Sequence, residues 1–125
     1  MSYCLVADDS PAMRKVLCSL LNDLGFEAGE AANGLEALET CRARMPDAVL
    51  LDWNMPVMDG LEFLSALGGQ TNGSRPRIIF CTSGTETGPI ARAMSAGASE
   101  YLVKPFDKDL LAHKFETLGL AGSRT

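Results

Sequence analysis

Asp8 and Asp9, Asp52, Thr82 and Lys104 are the residues of this chain whose types could do chemistry together, and each stands at the end of a short apolar run. Singly they are ordinary, since aspartate favours turns, threonine favours strands and lysine favours solvent. Brought to one place they are not. Carboxylates within a few ångströms of one another repel, so either some stay protonated or a cation lies among them. A hard ion with oxygen ligands is the economical answer. Mg²⁺ takes one or two protein carboxylates, several waters and a phosphate oxygen, and Mn²⁺ fits almost as well. A carboxylate can also attack a phosphoryl donor and form an acyl phosphate, provided the charge spread over the equatorial oxygens is neutralised. The cation, the Lys104 ammonium and the Thr82 hydroxyl with nearby backbone N–H groups would each take one oxygen. Asp52 is the candidate acceptor, and no further acid or base is required.

These residues meet only if the elements carrying them lie side by side. Leu5 to Ala7 reads as a strand ending in Asp8-Asp9, and Ser10-Pro11 supplies an N-cap hydroxyl with proline at the first helical position. Met13, Val16, Leu17, Leu20, Leu21 and Leu24 give that helix an apolar stripe, and Gly25 stops it. Glu27 to Ala31 is a weaker strand, and Asn33-Gly34 opens a helix with Leu35, Leu38 and Cys41 running to about Met45. Ala48 to Asp52 is a continuous apolar run ending in a carboxylate, as expected of a strand buried on both faces of a parallel sheet. Asp59-Gly60 opens a third helix through Leu67, and Gly68 to Pro76 is a loop by composition. A strand over Ile78 to Thr82, a helix over Ile90 to Ala96 stopped by Gly97, a strand over Tyr101 to Val103 and a helix marked by Leu110, Leu111, Phe115 and Leu118 complete the chain. Such alternation predicts an α/β fold, an open and mostly parallel sheet with helices on both faces. Ligands of such sheets bind beyond the carboxyl ends of the strands, where these residues fall.

A length of 125 residues suits one domain, taken as residues 1–120 with 121–125 as a frayed tail. The net charge of −5 speaks against a nucleic-acid surface, and no apolar run approaches the ~20 residues of a membrane span. Without a basic stretch leading into a long apolar segment, the N-terminus predicts a cytoplasmic protein. Cys4, Cys18, Cys41 and Cys81 are too scattered for a metal motif and read as buried free thiols.

Asp8-Asp9, Asp52-Trp53-Asn54-Met55-Pro56, Asp59-Gly60, Thr82-Ser83 and Tyr101-Leu102-Val103-Lys104-Pro105-Phe106 together resemble the bacterial response-regulator receiver domains, above all the CheY-like single-domain kind. The motifs span nearly the whole chain in matching order. The resemblance implies a flavodoxin-like fold with strand order 2-1-3-4-5. It implies phosphoryl transfer to Asp52 from a histidine kinase, a histidine phosphotransfer protein or a small phosphodonor. It implies Mg²⁺ held by Asp9, Asp52 and the Asn54 backbone carbonyl, with Asp8 acting mostly through water, and a cis Lys104–Pro105 bond aiming Lys104 into the site. On phosphorylation, Thr82 would move toward the phosphoryl group and Tyr101 would turn into the space it leaves. The Gly84 to Pro89 loop, with its flanking glycines, would accommodate that movement. Such a domain is a phosphoacceptor switch that catalyses only its own phosphorylation and dephosphorylation. With no output domain attached, it would act as a monomer on a flagellar motor, a kinase or another regulator, through the face of Tyr101 and the last helix. Ser83 departs from the alanine or glycine usual there, and Asn54 and Gly84 flank the path of water to the acyl phosphate.

Rival readings fit less well. A haloacid-dehalogenase-like phosphatase carries a second aspartate two residues after its nucleophile, where this chain has Asn54. A flavin module on the same fold wants phosphate-binding donors in the first turn, which here is acidic. An interaction domain indifferent to phosphorylation would have no use for the acidic set with Thr82 and Lys104. Trp53 reads as a packing residue, and His113, among solvated residues, as no phosphohistidine.

Overall fold

Runs such as Cys4-Leu5-Val6-Ala7 and Ala48-Val49-Leu50-Leu51 have no polar face to turn to water, so they form the middle of a covered sheet. The computed structural model describes residues 2–68, 76–82, 87–104 and 106–120. Its elements alternate as β1 (Tyr3–Ala7), α1 (Pro11–Asp23), β2 (Glu27–Ala31), α2 (Gly34–Ala43), β3 (Ala48–Asp52), α3 (Gly60–Gly68), β4 (Arg77–Thr82), α4 (Thr87–Ser95), β5 (Glu100–Val103) and α5 (Lys108–Thr117). All strand pairs are parallel and their order is β2-β1-β3-β4-β5, as the resemblance implied.

Alternate side chains of each strand feed two apolar layers. Leu5, Ala7, Val49, Leu51, Ile78 and Phe80 pack against α2, α3 and α4, with Phe63 and Leu64 filling that side. Cys4, Val6, Leu50, Ile79, Cys81 and Leu102 pack against α1 and α5, where the Phe26 and Phe115 rings stack at 4.5 Å. Each fully buried Leu, Ile or Phe contributes roughly 1.5–3 kcal/mol, so the double layer is ample for a chain of this size. Cys4, Cys41 and Cys81 are buried free thiols as expected, while Cys18 is only partly covered. Among the described residues no helix is long and apolar enough to cross a membrane.

The structure differs from the sequence reading at several edges. β1 begins at Tyr3 because Tyr3 pairs with Glu27 and gives its N–H to the Asp47 carboxylate at 2.8 Å. α4 begins at Thr87, so Gly88 and Pro89 lie in its first turn, where a proline costs no hydrogen bond. Val16, Leu35 and Leu110, counted above as stripe residues, are exposed; an apolar stripe is wider in sequence than the groove that receives it. Gly25 and Gly97 do stop α1 and α4, both at positive φ, +87° and +115°. The expected loop residues 69–75, Ser83 to Glu86, Pro105 with the cis bond expected of it and residues 121–125, expected to form a tail, lie outside the described residues.

Candidate functional site

The strand order reverses between β1 and β3, because the chain passes from β1 outward to β2 on one side and from β3 onward to β4 and β5 on the other. The residues singled out gather at the carboxyl ends of these strands. Asp8 directly follows β1 and is buried, Asp9 beside it is exposed, and Asp52 closes β3 half-buried. Oxygens from the three carboxylates lie within 4.8 Å of one another. Lys104, one residue past β5, places its Nζ 2.8 Å from Asp8 Oδ2 and 3.3 Å from Asp52 Oδ1. Its backbone N–H is donated to the Thr82 carbonyl at 2.7 Å, which ties the ends of β4 and β5 together. Thr82 is buried, one residue past the Asp52–Cys81 register pair. Asn54 is exposed in the turn after β3, and Tyr101 is exposed on β5.

Burial raises the Asp52 carboxyl above its ordinary range, and the neighbouring charges of Asp8 and Asp9 add to that; the Lys104 ammonium pulls the other way without cancelling it. Burial would lower Lys104, but its hydrogen bond to Asp8 and the Asp52 charge more than offset this and hold it above the usual lysine value. Among the described residues one ammonium thus stands against three carboxylates, so the rim keeps surplus negative charge. All-oxygen donors with excess negative charge suit a hard divalent cation such as Mg²⁺.

The turn after Asp52 is tightly built. The Asp59 side chain accepts the Glu62 N–H at 2.9 Å while Glu62 accepts the Asp59 N–H at 3.1 Å, a reciprocal cap that starts α3. Gly60 gives its N–H to the Trp53 carbonyl, and a Cβ on it would stand 2.7 Å from the Asp52 carbonyl oxygen, so only glycine allows α3 this close to Asp52. Between them Val57 has φ +69°, and Met58 N–H bonds the Pro56 carbonyl at 2.7 Å across it. This is a γ-turn of the rare, strained hand, on a β-branched residue that is 74% exposed. Strain of this kind costs about 1–3 kcal/mol, whereas the extra freedom of an unfolded glycine costs about 0.4–1. Val57→Gly is therefore expected to raise the urea midpoint by the equivalent of about 1 kcal/mol. A lowered midpoint would show that the turn is relaxed.

A family model described as the response regulator receiver domain matches residues 4–116. The chain belongs to that family. This receiver domain is 36% identical over 116 residues to the chemotaxis protein CheY1 of Helicobacter pylori, covering 91% of this chain and 94% of that one. It is 35% identical over 113 residues to the chemotaxis protein CheY of Listeria monocytogenes, covering 90% and 93%. Among solved structures it is similar to CheY4 of Vibrio cholerae, with TM-score 0.86, 33% identity and coverage of 94% and 98%. It is also similar to the receiver domain of the sensor histidine kinase PA1611 of Pseudomonas aeruginosa, with TM-score 0.85, 29% identity and coverage of 93% and 95%. That structure has a magnesium ion coordinated in its active-site cleft.

The receiver domain thus brings Asp8, Asp9, Asp52 and Lys104 into one cluster, with Thr82 at its edge. Other parts of the surroundings escaped the sequence reading. Arg14, in the second turn of α1, reaches back to the Asp8 carbonyl. Arg92 of α4 lies 5.9 Å from the centre of the Trp53 ring, whose edge meets Phe80 at 5.9 Å. An arginine on a helix carries no signal of its target until the fold is known.

Proposed function

We propose that this receiver domain is the phosphoacceptor of a two-component phosphorelay, charged on Asp52 by the phosphohistidine of a histidine kinase or histidine phosphotransfer protein. The observation that carries the reading is the Lys104 ammonium, 3.3 Å from an Asp52 oxygen inside an acidic cluster drawn from separate strand ends. In the transfer, an Asp52 oxygen forms the new O–P bond as the N–P bond breaks, and the bonding pair leaves with the imidazole nitrogen. Lys104 passes from the carboxylate it now pairs with to a phosphoryl oxygen, and the Thr82 hydroxyl meets another. Asp9, Asp52 and the Asn54 carbonyl, with Asp8 through water, would hold Mg²⁺ or Mn²⁺, which when bound would supply positive charge to offset that of the transferring group. Rebinding of Lys104 needs no proton transfer, since it is charged before and after.

The same event supplies the switch. Tyr101 is 39% exposed; Lys114 Nζ lies 5.4 Å from its ring centre and 3.2 Å from the Glu100 carboxylate. Phosphorylation draws Thr82 toward the new group, Tyr101 turns inward, and a partner docks on the altered face of β5 and α5. A swing from 1:99 to 99:1 between the two arrangements takes about 5.5 kcal/mol of differential interaction. The new contacts at Thr82 and Lys104 supply part of it.

Trp53 reports on the chemistry and Tyr101 on the switch, so one titration tests both. Mg²⁺ is expected to change Trp53 fluorescence, and acetyl phosphate added afterwards to change it again together with the Tyr101 ring resonances. A chain that takes up no phosphate from acetyl phosphate or from any phosphohistidine donor overturns the reading. Phosphate uptake with unmoved Tyr101 resonances removes the switch alone.

A further inference from the structure

The Asp9 carboxylate is exposed, and among the described residues no hydrogen bond holds it. Its direction is therefore set by the backbone that carries it. The peptide unit before Asp9 begins at the Asp8 carbonyl, which lies just past the last β1–β2 register pair, Ala7 with Ala31. The Asp8 N–H is donated to the Ala31 carbonyl at 3.0 Å, the Asp8 Oδ1 accepts the Ser10 N–H at 2.9 Å, and Asp8 Oδ2 accepts from Lys104. Among the described residues the carbonyl has no strand partner there, and the first helical residue, Pro11, has no N–H to offer. Its donor is Arg14 Nη1 at 2.7 Å. Arg14 Nε is held in turn by Glu30 Oε1 at 2.9 Å, on the neighbouring strand, and the arginine side chain is only 15% exposed. The planar guanidinium thus spans from β2 to the peptide plane of Asp8 and Asp9 in a fixed fork, which a lysine, with its single-point ammonium, cannot reproduce.

We propose that Arg14, anchored by Glu30, is a positioning residue that fixes the Asp8–Asp9 peptide plane and so sets the affinity of the acidic cluster for a divalent cation. The proposal rests on the cation-assisted reading above. Arg14 touches neither the cation nor the phosphoryl group; it acts through the carbonyl. Partners of this outer kind typically change metal affinity by about 10–100-fold when removed.

The test compares wild type with Arg14→Met, which keeps the aliphatic stem, Arg14→Lys, and Glu30→Gln, which weakens the anchor. The first readout is amide exchange and chemical shift of Asp8, Asp9 and Ser10 in metal-free protein. The second is the Mg²⁺ titration of Trp53 fluorescence, with the urea midpoint measured alongside. Arg14→Met is expected to loosen those amides and weaken Mg²⁺ binding about tenfold or more, Glu30→Gln to do so less, and Arg14→Lys not to restore the wild type. Mg²⁺ affinity within twofold of wild type in a folded Arg14→Met protein overturns the proposal. So does weaker binding with unchanged turn amides, because loss of the guanidinium charge alone should tighten Mg²⁺ binding and the weakening would then not act through the turn. Should Arg14→Met fail to fold, Glu30→Gln decides by the same two readouts. A wild type that binds no Mg²⁺ would defeat the metal reading, and with it the affinity half of the proposal, while the metal-free amides still judge whether Arg14 fixes the turn.

Discussion

Asp52→Asn is expected to abolish uptake of hydroxylamine-labile phosphate from acetyl phosphate in Mg²⁺, because an amide oxygen is a poor nucleophile. The same substitution should stabilise the metal-free fold at pH 7. Asp52 sits above its ordinary carboxyl range because burial outweighs the pull of Lys104, with Asp8 and Asp9 adding to the rise. A raised folded pKa means the fold favours the protonated form. The stability this group contributes is therefore fully present below its unfolded pKa and is lost as pH rises through the folded value. At pH 7 wild type has lost it, and asparagine has no such charge to desolvate. Lys104 keeps its shorter bond, to Asp8, so the variant leaves no ammonium unpaired. In urea the variant's midpoint should exceed wild type at pH 7, and the gap should close as pH falls into the carboxylate range. Added Mg²⁺ stabilises whichever protein binds it and should favour wild type. Wild-type levels of acid-stable phosphate on Asp52→Asn would remove the acceptor assignment. A lower midpoint at pH 7 would show that the Lys104 attraction outweighs burial.

The fold was legible because the central strands are continuous apolar runs and the helices between them carry 3.6-residue stripes. Ala48–Asp52 and Glu27–Ala31 begin and end where the residues alone place them. The strand order was not legible in that way, since alternation predicts a parallel sheet without saying which strand lies beside which; it came from the resemblance. The residues that misled did so for local reasons. Gly88-Pro89 reads as loop, yet a helix tolerates both in its first turn. Val16 and Leu110 fit the stripes by spacing but project where no strand or helix covers them.

The cluster was legible for a different reason. Strand ends are one-dimensional landmarks, and a carboxylate after an apolar run marks one, so Asp8, Asp9, Asp52 and Lys104 could be assigned to a shared rim before any coordinates. What surrounds them depends on side chains that reach across the fold. Arg14 approaches Asp8 from α1, Glu30 comes from the edge strand, and Gly60 matters only because α3 descends onto the Asp52 carbonyl. The γ-turn at Val57 was hidden too, because valine is among the residues least expected at positive φ.

Lys104→Met separates what the lysine does for the fold from what it does for the chemistry. Methionine keeps much of the stem and removes the charge, which leaves the buried Asp8 carboxylate and the half-buried Asp52 without their cation. Breaking a buried pair from one side costs about 3–5 kcal/mol, and the residual exposure of Lys104 and Asp52 argues for the lower end. Lys104 is held above its ordinary value because its bond to Asp8 and the charge of Asp52 overcome burial, so its contribution is full below the unfolded lysine pKa and fades as pH rises through the folded one. The gap between wild type and variant should therefore be widest near neutrality and narrow toward alkaline pH. It should also narrow in acid, where Asp52 takes up its proton. Freed of their ammonium, the carboxylates should bind Mg²⁺ more tightly, and saturating Mg²⁺ should return most of the lost stability. Phosphoryl uptake should not return with it. If Lys104 meets a phosphoryl oxygen as it forms, its loss costs about 10²–10³ in rate even in a fully folded, metal-saturated protein. Full recovery of uptake on adding Mg²⁺ would make Lys104 a counterion of the acidic cluster and nothing more.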